Sequence, residues 1–203
     1  MKWAKKIPTY NETRNEQLIQ EGWIPLKEPK RLSTTILLSF PLMILISVLL
    51  FLTIDSFIGI SLSDFGIALT ESGFKFNINI LYVIGILLVV IVHEILHLIF
   101  IPKFIKSSNT YIGITYFGGF VYTEKLLKKG RFIIITVAPL VIISIFIPII
   151  LGVLGLMNGF ITILVIINGA GASVDILLLI FIITQVSNDA LIINNGNKTY
   201  WKK

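Results

Sequence analysis

Residues 80–101 read ILYVIGILLVVIVHEILHLIFI, an apolar run interrupted only by His93, Glu94 and His97. As a helix the run is about 33 Å long at 1.5 Å per residue, enough to cross the hydrocarbon of a bilayer. Residues four apart on a helix share a face, so His93 and His97 can present two imidazoles to one ion. Glu94, following the first histidine, can lean over that ion as a general base. The stretch matches the His-Glu-x-x-His pattern of zinc hydrolases, although a match on five residues also arises by chance. Two features weigh against chance. The chain has only two histidines, and both fall in the pattern. Ionisable groups inside a span are costly, and by default they mark function.

The composition extends the membrane reading to the whole chain. Of 203 residues, 55% are hydrophobic and 14% charged, against about 25% charged in soluble domains. The net charge of +6 resides in short segments beside the apolar runs, which is the distribution of membrane topology and not of a nucleic-acid surface. The absence of cysteine excludes disulfides and thiolate zinc ligands. The expected class is an all-α integral membrane protein with about four transmembrane helices and a small β-hairpin at the cytoplasmic interface. The expected organisation is a cytoplasmic leader (1–32), a membrane-embedded metallopeptidase-like domain (33–183) and a cytoplasmic tail (184–203).

Outward from the motif, Thr35 to Ile54 is uncharged and forms the first expected span, with a kink at Pro41. Between the first two spans, residues 55–79 carry Asp55, Asp64 and Glu71 against Lys75, and read as a loop or a short re-entrant or amphipathic piece. Pro102 closes the second span. Beyond it, Tyr111 to Thr123, rich in β-branched and aromatic residues around Gly118-Gly119, reads either as a hairpin or as an irregular aromatic loop at the interface. Phe132 to Val174 carries no charge and is too long for one span. Asn158-Gly159 divides it into a third span (Phe132 to about Leu156) and a fourth (Phe160 to about Ile183). In the leader, Asn11 to Gln20 is a candidate surface helix ended by Gly22, with a mostly solvated segment as the alternative. In the tail, Asn195-Gly196 signals a hairpin that would need support.

Charge decides the orientation. Residues 1–32, 102–131 and the tail are basic, whereas 55–79 is acidic, so both termini are expected in the cytoplasm of a multi-pass cell-membrane protein. His93 and His97 then lie about 6–12 Å below the cytoplasmic boundary. Asp175, the only charge of the fourth span, comes to about 12 Å by the same rise. It is the natural third zinc ligand, since catalytic zinc commonly takes three protein ligands and keeps one position for water. A charge satisfied by helix packing or a water-filled cavity is the alternative. Ahead of it, residues 168–173 (Asn-Gly-Ala-Gly-Ala-Ser) are either partly unwound or allow the fourth span to approach the second closely.

This His93–His97 motif near the cytoplasmic end of a span, with an asparagine-containing stretch leading to Asp175 in a later span, resembles the site-2 protease group. The four-span layout, the Gly22-Trp23 leader and the hairpin-like tail resemble more specifically the bacterial putative zincin peptidase family. The resemblance implies that His93, His97 and Asp175 bind Zn2+, that Glu94 is the base, and that Asn168 orients substrate or stabilises an oxyanion. It also implies that a strand near the site, here within Tyr111–Thr123, pairs with an unwound substrate segment. The chain departs from the site-2 pattern at Val174-Asp175-Ile176, where that group has Leu-Asp-Gly, and has no proline between Asn168 and Asp175.

The expected function is zinc-dependent hydrolysis of peptide bonds near the cytoplasmic side of the membrane, on a membrane-protein or peptide substrate, with the lipid bilayer as surroundings and no nucleic-acid partner. The rival class is a non-catalytic membrane protein (an immunity, resistance or assembly factor) that keeps zinc for structure. A transporter is less consistent, because no second-half repeat provides alternating access.

Overall fold

The computed structural model describes residues 1–203 apart from 62, 64, 65, 71, 72, 77–79, 116 and 117. Asp64, Glu71, Tyr116 and Phe117, used in the sequence reading, therefore lie outside the described residues. Four helices are long and apolar enough to cross a membrane: Leu32–Ile58, Ile80–Phe100, Lys129–Val153 and Gly159–Gln185. They correspond to the four expected spans. Their large outward residues are apolar, among them Leu37, Leu52, Phe57, Leu87 and Ile149, a surface suited to lipid tails.

The leader opens with strand β1 (Lys2–Trp3) and helix α1 (Glu12–Gln20). The Asn11 side chain caps α1 by accepting from the Arg14 amide, and Gly22, at φ +83°, ends it. Strand β2 (Ile24–Pro25) follows. Helix α2 (Leu32–Ile58) runs one turn past the expected end at Ile54. Asp55 belongs to its last turn, where its carboxylate accepts from the Ile60 amide at 2.8 Å, and Gly59, at φ +61°, ends it. Pro41 lies inside α2. Strands β3 (Ile67–Thr70) and β4 (Gly73–Phe76) pair antiparallel in the segment read as a loop or amphipathic piece.

Helix α3 (Ile80–Phe100) carries the motif. Strands β5 (Thr110–Thr115) and β6 (Gly118–Thr123) form the hairpin, and β7 (Leu127–Lys128) leads into α4 (Lys129–Val141). A π-helical turn, Ile142–Phe146, joins α4 to α5 (Ile147–Val153). Asn158 caps α6 (Gly159–Gly171), accepting from the Ile161 amide at 3.1 Å, so the expected division falls where a cap can form. Helix α7 (Ser173–Gln185) completes the fourth span after a break at Ala172. Strands β8 (Leu191–Asn195) and β9 (Lys198–Lys202) form the tail hairpin, with Gly196 at φ +59° in the turn.

The all-α expectation needs correcting. Beyond the hairpin, strands recruit both ends of the chain. β1 pairs parallel to β5, giving the order β1-β5-β6, and β2 pairs with β9, giving β2-β9-β8-β7. The tail hairpin thus has the support a two-stranded ribbon lacks. A two-residue strand shows no period in sequence, so these pairings were invisible there.

The elements form two compact units, residues 1–40, 94–138 and 174–203 in one, and 41–93 with 139–173 in the other. The first contains α1, both larger sheets and a core of Leu26, Leu127, Phe132, Ile182, Val186, Ala190 and Ile192. Lys129 is buried in it because its ammonium donates to Val186 O at 2.6 Å. In the second, Gly85 meets Phe160 and Leu164, and Gly169 meets Ile46 and Leu50 at distances that leave no room for a Cβ. Gly169 therefore serves close packing against α2, the first span, while its neighbour Asn168 meets His93 of the second span, so the segment does let the fourth span approach the second.

Candidate metal centre

His97 lies in the last turn of α3, and its Nδ1 is 2.7 Å from the carbonyl oxygen of Ile135 in α4. A carbonyl can only accept, so Nδ1 carries the proton and the ring's lone pair resides on Nε2. Proline explains why this carbonyl serves the ring. The residue four further along α4 is Pro139, which has no N–H to offer Ile135. His97 Nε2 is 3.5 Å from Oδ2 of Asp175, in the first turn of α7. Two donors each about 2.0 Å from a tetrahedral zinc stand about 3.3 Å apart. The observed separation fits two ligands of one ion better than a direct hydrogen bond of about 2.9 Å.

His93, one turn earlier on the same uninterrupted helix, is oriented by a side chain. Its Nδ1 is 2.9 Å from Oδ1 of Asn168. The Asn168 amide nitrogen donates to Pro139 O at 3.2 Å and to Ser144 Oγ at 2.9 Å, and the Ser144 hydroxyl donates in turn to Val165 O at 2.9 Å. Both amide hydrogens are therefore engaged, which fixes Oδ1 as the atom facing the histidine. Nδ1 of His93 must donate, and its lone pair too lies on Nε2. Asn168, 3% exposed, was expected to orient substrate or stabilise an oxyanion; its amide is committed to the protein. The small-residue segment that follows is helical apart from the break at Ala172.

One ligand atom from each of His93, His97 and Asp175 lies within 4.8 Å of the others, and all three side chains are half-buried. Two imidazoles, each with Nδ1 held by an oxygen acceptor, and one carboxylate form a donor set suited to zinc. Among the described residues this is the one cluster able to hold a metal ion. Glu94 packs against β6, where a Cβ added to Gly119 would stand 2.6 Å from Glu94 Cγ and 3.4 Å from Oε1. Only glycine allows the strand this close to the carboxylate. Among the described residues β6 pairs with β5 alone. Its outer edge accepts a bond from Asn194 Nδ2 at Thr123 O, 3.1 Å. Backbone groups alternate along a strand, so Val121 and Gly119 direct theirs to that same edge.

The family model described as "Putative zincin peptidase" matches residues 86–191, which spans the motif, the hairpin, the third and fourth helices and Asp175. The chain belongs to the putative zincin peptidase family. Membership carries the implication of a zinc peptidase, and His93, His97 and Asp175 form a group that could hold a metal ion. The chain matches none of the curated proteins and none of the solved structures.

Three participants escaped the sequence reading. Ile135 acts through its backbone, and the only signal for it was a proline four residues on. Ser144 sits on the π-helical turn, a local change of helical period without a motif of its own. Gly119 was quoted as a turn residue of the hairpin, whereas its function is to make room for Glu94.

Proposed function

We propose that this zincin-family member is a membrane-embedded peptidase that hydrolyses peptide bonds near the cytoplasmic side of the membrane, with a site like that of the site-2 proteases. His93, His97 and Asp175 hold the zinc. The observation that carries this reading is the arrival of Asp175, some eighty residues away in sequence, at the level of two histidines whose tautomers are already set for a metal. When bound, zinc polarises the scissile carbonyl and lowers the pKa of water to about 7. Glu94 takes the proton from the attacking water and passes it to the leaving amine. Ile135 O and Asn168 Oδ1 hold the two rings, and Asn168 is a positioning residue.

The scissile bond must be extended to be reached, and the edge of β6 supports a way to hold it. An extended substrate segment pairing with Gly119 and Val121 would run beside Glu94. The cytoplasmic assignment, with both termini on that side, rests on the basic flanks of the spans.

Glu94→Gln tests the reading. Zinc content should stay stoichiometric while cleavage of a reconstituted membrane-peptide substrate disappears. Retained cleavage would remove Glu94 as the base. A variant that left cellular function intact would favour the non-catalytic alternative.

A further inference from the structure

Directly after α3 the chain forms a tight loop, Pro102 to Ser107, whose tip is unusual for its place. Ile105 is 74% exposed, more than any other large apolar residue outside the four long helices among the described residues. Lys103 and Lys106 flank it, both exposed. The loop is built, not slack. Lys103 adopts φ +52°, a left-handed backbone uncommon for a side-chain-bearing residue. The Lys125 ammonium donates to Pro102 O, the Ser107 amide to Phe104 O at 3.1 Å, and the Met1 ammonium to Ser107 O and to Ile105 O, the latter at 3.2 Å. These bonds bring the leader alongside. β1 continues down β5, with the Ala4 amide donating to Ile112 O at 3.0 Å. The leader adds exposed Lys2, Lys5 and Lys6 together with Trp3, which is 64% exposed.

The charge of this surface is mainly positive. Residues 1–11 and 95–123 contain five lysines and no aspartate or glutamate. An exposed apolar tip ringed by lysines, a few residues past the end of a membrane-length helix, is complementary to the region where acyl chains meet negatively charged headgroups. We propose that the Pro102–Ser107 loop and the adjoining Lys2–Lys6 segment bind the phosphodiester headgroups of anionic phospholipids. Ile105 and Trp3 enter the acyl boundary, and Lys103, Lys106 and the leader lysines sit on the phosphates. The site rests on the membrane reading but not on the peptidase reading. It also has a bearing on the latter: the loop leads into β5, the partner of the strand whose Gly119 packs on Glu94, so lipid held here would steady that hairpin.

The test is lipid retention. Protein is reconstituted in nanodiscs of equal phosphatidylcholine and phosphatidylglycerol, extracted in detergent, and its bound lipid measured by native mass spectrometry. Each lysine near the surface is worth about fivefold. Wild type should retain phosphatidylglycerol over phosphatidylcholine, and Lys103→Gln/Lys106→Gln should lower that ratio by about 25-fold, two lysines at about fivefold each. Lys27→Gln/Lys30→Gln, with the same change of charge elsewhere on the basic side, should leave the ratio unchanged. Ile105→Ser should lower retention of both lipids. Three results would overturn the proposal: an unaltered ratio in the Lys103/Lys106 variant, an equal loss in the control, or displacement of the lipid by millimolar inorganic phosphate, which would make this a free-anion site. Circular dichroism of each variant separates loss of lipid from loss of fold.

Discussion

His93 and His97 stand one turn apart on α3, yet different kinds of partner hold them. His97 bonds a backbone carbonyl, that of Ile135, which the helix leaves to it because Pro139 cannot donate. His93 bonds a side chain, Asn168, whose own amide is held by Pro139 O and Ser144 Oγ. A backbone anchor is stiff and survives substitution of the residue that supplies it. A side-chain anchor depends on every member of its network, because a buried amide that loses a partner is left unsatisfied. The same chemical result, a lone pair on Nε2, is therefore secured for one ring by what a proline lacks and for the other by a relay of polar side chains.

The comparison breaks most sharply at Asn168. Asn168→Leu removes the acceptor of His93 and strands Ser144 Oγ and Pro139 O, which should lower stability by about 1–3 kcal/mol. It should also weaken zinc binding by about 10–100-fold, read by chelator competition. Asn168→Asp keeps an acceptor for the ring and should retain more of the affinity. Equal losses in the two variants would mean that the contact with His93 is not what matters.

At the other anchor, Pro139→Ala returns an N–H to Ile135 O. A carbonyl has two lone pairs and can serve both donors, so the loss of zinc affinity should be smaller, about tenfold. The diagnostic outcome is a split, with a metal-free protein at least as stable as wild type, because a helix interior favours alanine over proline, and a weaker metal site. Unchanged zinc affinity would show that His97 does not depend on the missing N–H.

Glu94, between the two, is constrained by packing against Gly119. Gly119→Ala should displace the carboxylate and lower turnover by about tenfold, the size of a modest misplacement of a catalytic group, with zinc content unaffected. A parallel loss of zinc would instead mean that the strand positions the metal ligands.

The smallest effect lies away from the metal, where Glu28 meets β9. Burial pushes its carboxyl up to about 6, partly offset by hydrogen bonds from the Thr199 amide and hydroxyl. The folded chain thus binds this proton more tightly than the unfolded chain, whose carboxyl titrates near 4.5. The contribution is fully present below pH 4.5 and is lost as pH rises through 6, at most about 2 kcal/mol. The melting temperature should fall over that interval, and Glu28→Gln should flatten the profile. A wild-type profile already flat there would remove Glu28 as its cause.

Much of this architecture was legible in one dimension. A bilayer imposes a length and an absence of charge, and both are local properties, so the four spans were read to within a few residues. The spacing of His93, Glu94 and His97 is likewise local, and the helical period places the two rings on one face wherever the helix goes. Asp175 was reachable because burying a charge in a span narrows the candidates to one. The sheets that enlist Lys2–Trp3 and Ile24–Pro25 were not legible. Pairing between strands of two residues is decided by partners more than a hundred residues away, and leaves no pattern in the strands themselves.

The sequence by itself determined which residues could meet a metal. Only the tertiary structure decided which atoms meet. The tautomer of each histidine is chosen by an acceptor brought from another helix, and the reach of Glu94 is set by a strand that approaches because Gly119 has no side chain. Such choices depend on distances of a few tenths of an ångström between segments remote in the chain, and no local pattern of residue types encodes them.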